Sequence, residues 1–262
     1  LLLVRTLITR DLGLEAAGQF AAAWTITVVY GGFMIKAMQA DYFPRLSETM
    51  HDHGAATRLI NTQAQLTLAI SGPVLLFMIG LAPWVMQLLY SKEFNEAATL
   101  LQWQMVGSLF KVTAWSLGQA LPASGRSGLY LVRQIPLNLA LFFIVWFGLP
   151  VFGLEAAGIA FLCAYIVHLA VVTAFARRYH DFRWHRRSLR LLFLHMVLCS
   201  ALLVAARAAP ELAAIAAVVL AVLTSVTGLR AVIVQIGSQH GRLVSRIACL
   251  YKLIGWPVTG SN

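Results

Sequence analysis

The sequence predicts an all-α, polytopic membrane helical bundle. Of its 262 residues, 60% are hydrophobic and 11% are charged, and the mean hydropathy is +0.77. Soluble domains are usually about one quarter charged. The apolar residues form long runs that are separated by short polar connections, as expected where irregular backbone has to stay out of lipid. These observations place the chain among integral membrane proteins.

About eight apolar helices are predicted along the chain. They cover approximately residues 1–10, 16–44, 59–89, 97–121, 127–149, 154–176, 189–208 and 211–235. The first is expected to be truncated, because the chain opens inside an apolar run without an initiator Met. No small-residue cleavage site follows that would indicate a signal peptide. We therefore expect the C-terminal portion of a larger membrane protein, closed by a polar tail at about 237–262.

The positive charges predict the orientation of the bundle. One set of alternate connections holds thirteen Lys and Arg residues: Arg45, Arg58, Arg126, Arg133, Arg177, Arg178, Arg183, Arg186, Arg187, Arg190, Arg242, Arg246 and Lys252. The opposite set holds three, namely Arg10, Lys92 and Arg207. Since cytoplasmic connections are the basic ones, the first set and the C-terminal tail are expected in the cytoplasm. The net charge of +10 then indicates topology and contact with anionic headgroups, and no nucleic-acid partner is expected.

The residues that commonly bind metals or form disulfides are scattered. Cys163, Cys199 and Cys249 are far apart and lie in or beside apolar segments, which favours packing roles. His51-Asp52-His53 lies in a predicted cytoplasmic loop without further ligands, which favours a solvated turn over a metal cluster. We predict no metal, no cofactor and no catalytic residue.

One six-residue sequence occurs twice. Gly13-Leu14-Glu15-Ala16-Ala17-Gly18 is repeated from Gly153 to Gly158. Both copies are predicted to open a helix at a non-cytoplasmic connection, where a Glu suits the positive end of the helix dipole. A structural repeat and a chance match in an Ala-rich chain both remain open.

Three cations are predicted at a common depth in the membrane. Lys111 lies near the middle of the segment 97–121, about 15 Å from its cytoplasmic end. Lys36 and Arg133 lie about 12 Å and about 10 Å from the cytoplasmic ends of theirs. Asp41 is the nearest carboxylate, but its spacing favours a pair with Arg45, four residues on. A charge at this depth is expensive and indicates a functional site, although snorkelling or capping of a carbonyl is an alternative for each cation.

Other polar residues in the apolar segments allow two interpretations. Gln134 and Asn138 are one turn apart on the helix of Arg133, and Gln119 lies two turns beyond Lys111. These amides suit sugar hydroxyls, and they equally suit hydrogen bonds between helices. His168, with Tyr165 one turn earlier, suits a proton relay or a packing role.

Three motifs, at residues 42–47, 89–94 and 103–115, resemble those of the bacterial O-antigen translocases, in the polysaccharide-exporter branch of the MATE-like flippase superfamily. The first runs from Tyr42 to Ser47 and contains the Pro-Arg-Leu-Ser segment that ends a helix in that family. The second is the loop from Leu89 to Phe94. The third is Trp103-Gln104-Met105-Val106-Gly107, followed by Lys111 and Trp115, which is similar to the family's signature helix. Ser108 departs from the pattern, because the family often carries an acidic residue there.

The resemblance implies a fold of two six-helix lobes around a cavity that opens alternately to either side. Residues 1–178 would then form the C-terminal lobe, 179–236 two additional transmembrane helices, and 237–262 a cytoplasmic tail. The last two helices match nothing in the family pattern. The implied location is the bacterial inner membrane, with the bilayer and other polysaccharide-assembly proteins as partners.

The resemblance also implies a substrate, an undecaprenyl-diphosphate-linked oligosaccharide that is flipped from the cytoplasmic to the periplasmic leaflet. Lys111 and Lys36 are the expected ligands of the diphosphate, with Arg133 assisting and Arg5 further along the exit path. A multidrug or other lipid exporter of the same fold is the first alternative, although drug exporters usually need intramembrane carboxylates. A membrane glycan polymerase or glycosyltransferase would need carboxylates or a metal in sizeable aqueous loops. A purely structural subunit would leave the three cations unexplained.

Overall fold

The computed structural model describes residues 1–236, and the regular elements in this range are α-helices without any strand. The helices are α1 Leu2–Thr49, α2 His53–Leu89, α3 Asn95–Gly118, α4 Ala120–Ala123, α5 Ser127–Val132, α6 Gln134–Phe152, α7 Glu155–His180, α8 Arg186–Ala208 and α9 Pro210–Ile236. The predicted all-α class is confirmed. The expected tail at 237–262 lies outside the described residues.

Six helical stretches of the described chain are long and apolar enough to cross a membrane. They are Leu2–Phe33, His53–Leu89, Ser127–Phe152, Glu155–His180, Arg186–Ala208 and Pro210–Gly228. This confirms a multi-pass membrane protein. α3 is not among the six, although its 24 residues would extend about 36 Å.

α3 can be less apolar than the six spanning stretches because other helices of the protein, and not lipid, surround it. It packs against α1, α2, α7 and α8, and most of its residues are buried, including Gln102, Gln104 and Ser108. A helix inside a bundle satisfies its polar side chains against neighbours instead of lipid. Gln102, for example, donates a hydrogen bond to the carbonyl of Ile79 on α2 at 3.0 Å.

A glycine with positive φ begins each copy of the repeated six-residue sequence. Gly13 interrupts α1 with φ 89° and ψ 178°, and Gly153, with φ 54°, ends α6. Such φ values favour Gly because it lacks a Cβ atom. Each Gly is followed at once by a new helical stretch, so the two copies share the same local role. Glu155 in the second copy accepts a hydrogen bond from the indole of Trp103 at 3.1 Å and pairs with Arg207.

Asp52 lies in the connection between α1 and α2 and caps the start of α2. Its side chain accepts hydrogen bonds from the backbone N–H groups of Gly54 and Ala55, at 2.8 and 3.0 Å. This is the N-cap arrangement that satisfies free N–H groups at a helix start. The same hydrogen bonds, that from Ala55 first, hold the pKa of the Asp52 carboxyl below its usual value. Asp52 thus has a structural role in the His51-Asp52-His53 turn.

α1 runs parallel to α3 and is tied to it at three levels. The amide oxygen of Gln19 accepts from the N–H of Ala97 at 2.8 Å, which satisfies one of the free donors at the start of α3. The Tyr42 hydroxyl donates to the carbonyl of Ser116 at 2.6 Å, near the end of α3. Between these levels, the hydroxyl of Thr27 donates to the side-chain oxygen of Gln104 at 2.6 Å.

α7 also runs parallel to α3 and packs closely because of two glycines. The Cα of Gly158 lies against Trp103, and a Cβ at Gly107 would lie 3.0 Å from the backbone of Leu162 and against the ring of Phe161. Small residues at these positions allow close helix approach within a membrane bundle. Lys111 on α3 and Tyr165 on α7, one turn beyond these contacts, are therefore close to each other.

α8 and α9 pack against α2. Gly72 on α2 accommodates the imidazole of His195 on α8, and Gly80 accommodates Ala213 and Ala217 on α9. Asn61 on α2, which is fully buried, accepts from the N–H of His185 at 2.8 Å and from the hydroxyl of Ser188 at 2.9 Å. Its amide donates to the carbonyl of Arg183 at 3.0 Å. Asn61 therefore fixes the connection between α7 and α8 as well as the start of α8.

Candidate functional site

Lys111 lies where α1, α3 and α7 meet. Its Nζ is 5.8 Å from the ring centroid of Tyr165 and 5.9 Å from that of Phe161, both on α7. On the α1 side it lies against Gly31, where an added Cβ would be only 2.8 Å from Nζ. The absence of a side chain at Gly31 is what leaves room for the ammonium group.

No carboxylate neutralises Lys111 within residues 1–236. The ion pairs of this range join Arg10 to Asp11, Arg45 to Asp41, His53 to Asp181 and Arg207 to Glu155. Cation–π contacts with two rings near the 6 Å limit contribute roughly 0.5–1 kcal/mol each. A charge within a membrane costs several kcal/mol, so the rings only partly offset the cost. The ammonium group is consequently suited to an anionic ligand.

Arg133 is the second cation of the site, and it is buried. It lies at the junction of α5 and α6, where Pro136 lacks the N–H that would otherwise bond to the carbonyl of Val132. The side chain is 4% exposed, its Cζ lies 4.1 Å from the ring centroid of Tyr130, and its guanidinium fills the space beside Gly118. Its Nε and Nη1 have no hydrogen-bond partner in the described structure. These two donors are buried and therefore do not cap carbonyls of the described residues.

Tyr165 and His168 on α7 extend the site from Lys111 along α7. The ring centroid of Tyr165 is 6.0 Å from that of His168, one turn further along α7. His168 is buried, and its Nδ1 has no partner among the described residues. We call Lys111, Tyr165, His168 and Arg133 the cationic column.

The other predicted ligands of the anion lie outside the column. Lys36 and Arg5, both on α1, have exposed side chains. Neither takes part in the ion pairs of residues 1–236. Of the four predicted cations, Lys111 and Arg133 are thus the two that are not exposed.

The three amides predicted as glycan contacts differ in exposure. Gln119 is buried between α3 and α4, Gln134 is half-buried beside Arg133 in the chain, and Asn138 is exposed on α6. Their roles as sugar ligands stay predictions.

Sequence reasoning missed Gly31, Gly118 and Tyr130, which shape the surroundings of the two cations. The sequence did contain a signal for Gly118. It follows Lys111 by seven residues, and residues seven apart lie on the same face of a helix because they are two turns apart. Gly31 had no comparable signal, because it lies on another helix 80 positions away from Lys111.

A comparison with known protein families gives one match. Residues 3–99, which cover α1, α2 and the start of α3, match the model of a family described as polysaccharide biosynthesis protein. No curated protein and no solved structure matched the chain. The match supports a general relation to membrane proteins of polysaccharide biosynthesis. It ends before Lys111, so the cationic column stands on geometry.

Proposed function

We propose that the protein is a flippase that moves an undecaprenyl-diphosphate-linked oligosaccharide, an O-antigen or related repeat unit, from the cytoplasmic to the periplasmic leaflet of the bacterial inner membrane. One observation carries the proposal: the bundle holds two cations, Lys111 and Arg133, without carboxylate partners in the described residues. The match to a polysaccharide biosynthesis family supports the glycan part.

A diphosphate is the group that this arrangement serves. Taking its negative charges out of water is prohibitive unless charged or hydrogen-bonding groups replace the water. The unpaired Nε and Nη1 of Arg133, once a headgroup reaches them, and the ammonium of Lys111 would supply such groups. Arg-phosphate contacts are also among the strong charge-assisted hydrogen bonds.

The order of the column suggests the direction of movement. α3 and α7 run parallel, and on both helices the residues toward Arg133, Gly118 and His168, follow those beside Lys111 in the chain. With the orientation predicted by the positive-inside rule, Arg133 lies nearer the cytoplasm than Lys111. A headgroup loaded from the cytoplasm would therefore meet Arg133 first and Lys111 second, with its lipid tail remaining in the bilayer.

The function is tested by complementation followed by transport in vesicles. The gene, in its full length, is expressed in a strain that lacks its own O-antigen translocase, and surface polysaccharide is measured. Purified protein is then placed in vesicles with a labelled polyprenyl-diphosphate oligosaccharide, and the exposed fraction of the label is followed. A polyprenol glycoside without phosphate is the matched control substrate.

We expect restored surface polysaccharide and movement of the diphosphate lipid only. Export of organic cations without movement of the lipid-linked glycan would instead indicate a drug exporter. A change in the glycan's covalent structure would indicate an enzyme, and movement of neither substrate would contradict the proposal.

Replacing Arg133 with methionine separates ligand binding from folding. Since two buried nitrogens of Arg133 lack partners, an apolar side chain of similar length is expected to leave the thermal midpoint unchanged or to raise it. Transport is expected to fall about tenfold to a hundredfold, because a charge-assisted hydrogen bond contributes roughly 1.5–3 kcal/mol. Arg126→Met is the control, because Arg126 is exposed and lies over Tyr179 at 4.7 Å. A parallel loss of stability and transport in Arg133→Met would show that the guanidinium is structural.

A further inference from the structure

We propose that a crevice between α2, α8 and α9 binds an anionic glycerophospholipid of the surrounding bilayer, with its phosphate on Arg187 and one acyl chain between the helices. The crevice has a volume of about 200 Å³ and is lined by Leu66 and Ala69 of α2, Arg187 and Leu191 of α8, and Thr224 and Thr227 of α9, among others. A cavity of about 150 Å³ already holds a benzene-sized ligand, so part of an acyl chain fits. The crevice shares no residue with the cationic column.

The mouth of the crevice carries unpaired positive charge. Arg187 lines the crevice itself, Arg186 and Arg190 lie within three residues of it on α8, and Arg183 lies in the connection before α8, all with exposed side chains. The ion pairs found in residues 1–236 include none of these four arginines. Basic pockets between helices on the cytoplasmic side bind anionic lipid headgroups. The predicted orientation places the start of α8 on that side.

Below the mouth, the walls of the crevice offer few polar groups. The hydroxyls of Thr224 and Thr227 donate to carbonyls of their own helix, those of Leu220 and Leu223. The Nδ1 of His195 is hydrogen-bonded to the carbonyl of Leu191 at 2.9 Å, and the Nε2 edge of its ring packs against Gly72. The amide of Gln65, also in the lining, donates to the hydroxyl of Ser188 at 2.9 Å. The rest of the wall includes the apolar side chains of Leu66, Leu191 and Leu194.

The dimensions suit a chain that enters from the headgroup level. From Arg187 to His195 the helix rises about 12 Å, which takes the crevice from the interface into the hydrocarbon region. Leu194 and Thr227, on its outer wall, are exposed, so bilayer lipid reaches the crevice from the side. A cationic mouth above an apolar slot matches a phospholipid in both parts, whereas a free anion would leave the slot unexplained.

The proposal is tested by native mass spectrometry of the purified protein in detergent, titrated with phosphatidylglycerol or phosphatidylcholine. We expect a bound phosphatidylglycerol that survives detergent removal and is not matched by phosphatidylcholine. Arg187→Ala is expected to weaken it about fivefold, as one basic residue near the surface contributes. Thr227→Phe is expected to abolish it by filling the crevice from its exposed side.

Arg178→Ala is the matched control, because Arg178 is an exposed arginine at the same end of the bundle but on α7, outside the crevice. It should leave binding unchanged. Equal binding of phosphatidylcholine, or wild-type binding by either Arg187→Ala or Thr227→Phe, would overturn the proposal. Since both substituted side chains are exposed, elution as a single folded species is expected for each variant and is checked first.

Discussion

Lys111→Ala is expected to lower transport of a polyprenyl-diphosphate oligosaccharide by about tenfold to a hundredfold, the range of one charge-assisted interaction. The ammonium group lies between Gly31 on α1 and the rings of Phe161 and Tyr165 on α7. Without it, the diphosphate would lose its only partner at that level among the described residues. The initial rate of flipping in vesicles measures the effect, with the amount of inserted protein determined in the same sample.

Two further variants show whether charge or packing is responsible. Lys111→Arg keeps the positive charge and is expected to retain part of the rate, although the larger guanidinium must shift because Gly31 leaves little space. Lys92→Ala removes an exposed lysine from the connection between α2 and α3 and should transport as wild type does. A wild-type rate in Lys111→Ala would remove Lys111 from the mechanism and leave the flippase assignment to the other tests.

Asn61→Leu is expected to lower the free energy of unfolding by about 2–4 kcal/mol. Leucine has a similar size, but it leaves the N–H of His185 and the carbonyl of Arg183 without their partner on α2. An unsatisfied buried group costs roughly 1–3 kcal/mol, and the lower part of that range applies to these two groups because their hydrogen bonds are only partly buried. Since these bonds fix the connection before α8, cleavage by trypsin at Arg183, Arg186 and Arg187 is expected to accelerate. Thermal unfolding and the rate of limited proteolysis measure the two effects.

Asn138→Leu is the matched control for this stability effect. Asn138 is an exposed asparagine on α6, and an apolar residue on that surface should not lower the thermal midpoint in detergent. An unchanged midpoint and an unchanged proteolysis rate in Asn61→Leu would mean that α8 is held mainly by other packing on α2, such as His195 against Gly72.

Much of the architecture could be predicted because it depends on local properties. A chain in lipid has to satisfy its backbone hydrogen bonds within each helix, so the length and polarity of each run indicate a spanning helix without knowledge of its neighbours. The pair of Asp41 with Arg45 is local in the same sense. It was predicted from a spacing of four residues and is found at 3.1 Å.

The central position of α3 in the bundle could not be predicted as readily from its composition. Its polar residues Gln102, Gln104 and Ser108 make it less apolar than the six spanning stretches. When the sequence of α3 is considered alone, these polar residues weaken the prediction that it is a membrane helix. Only the packing of α1, α2, α7 and α8 around it shows why these polar residues are tolerated.

The sequence by itself determined that this is an all-α membrane bundle and that a lysine lies within one of its helices, because both follow from residues close together in the chain. The tertiary structure decided what surrounds that lysine. Gly31 is 80 positions away from Lys111, and Tyr165 is 54 positions away. Arg133 similarly depends on Gly118, which leaves space on a different helix. Such contacts arise from small residues that let particular helices approach one another, and periodicity along a single helix does not specify which helix will be the neighbour.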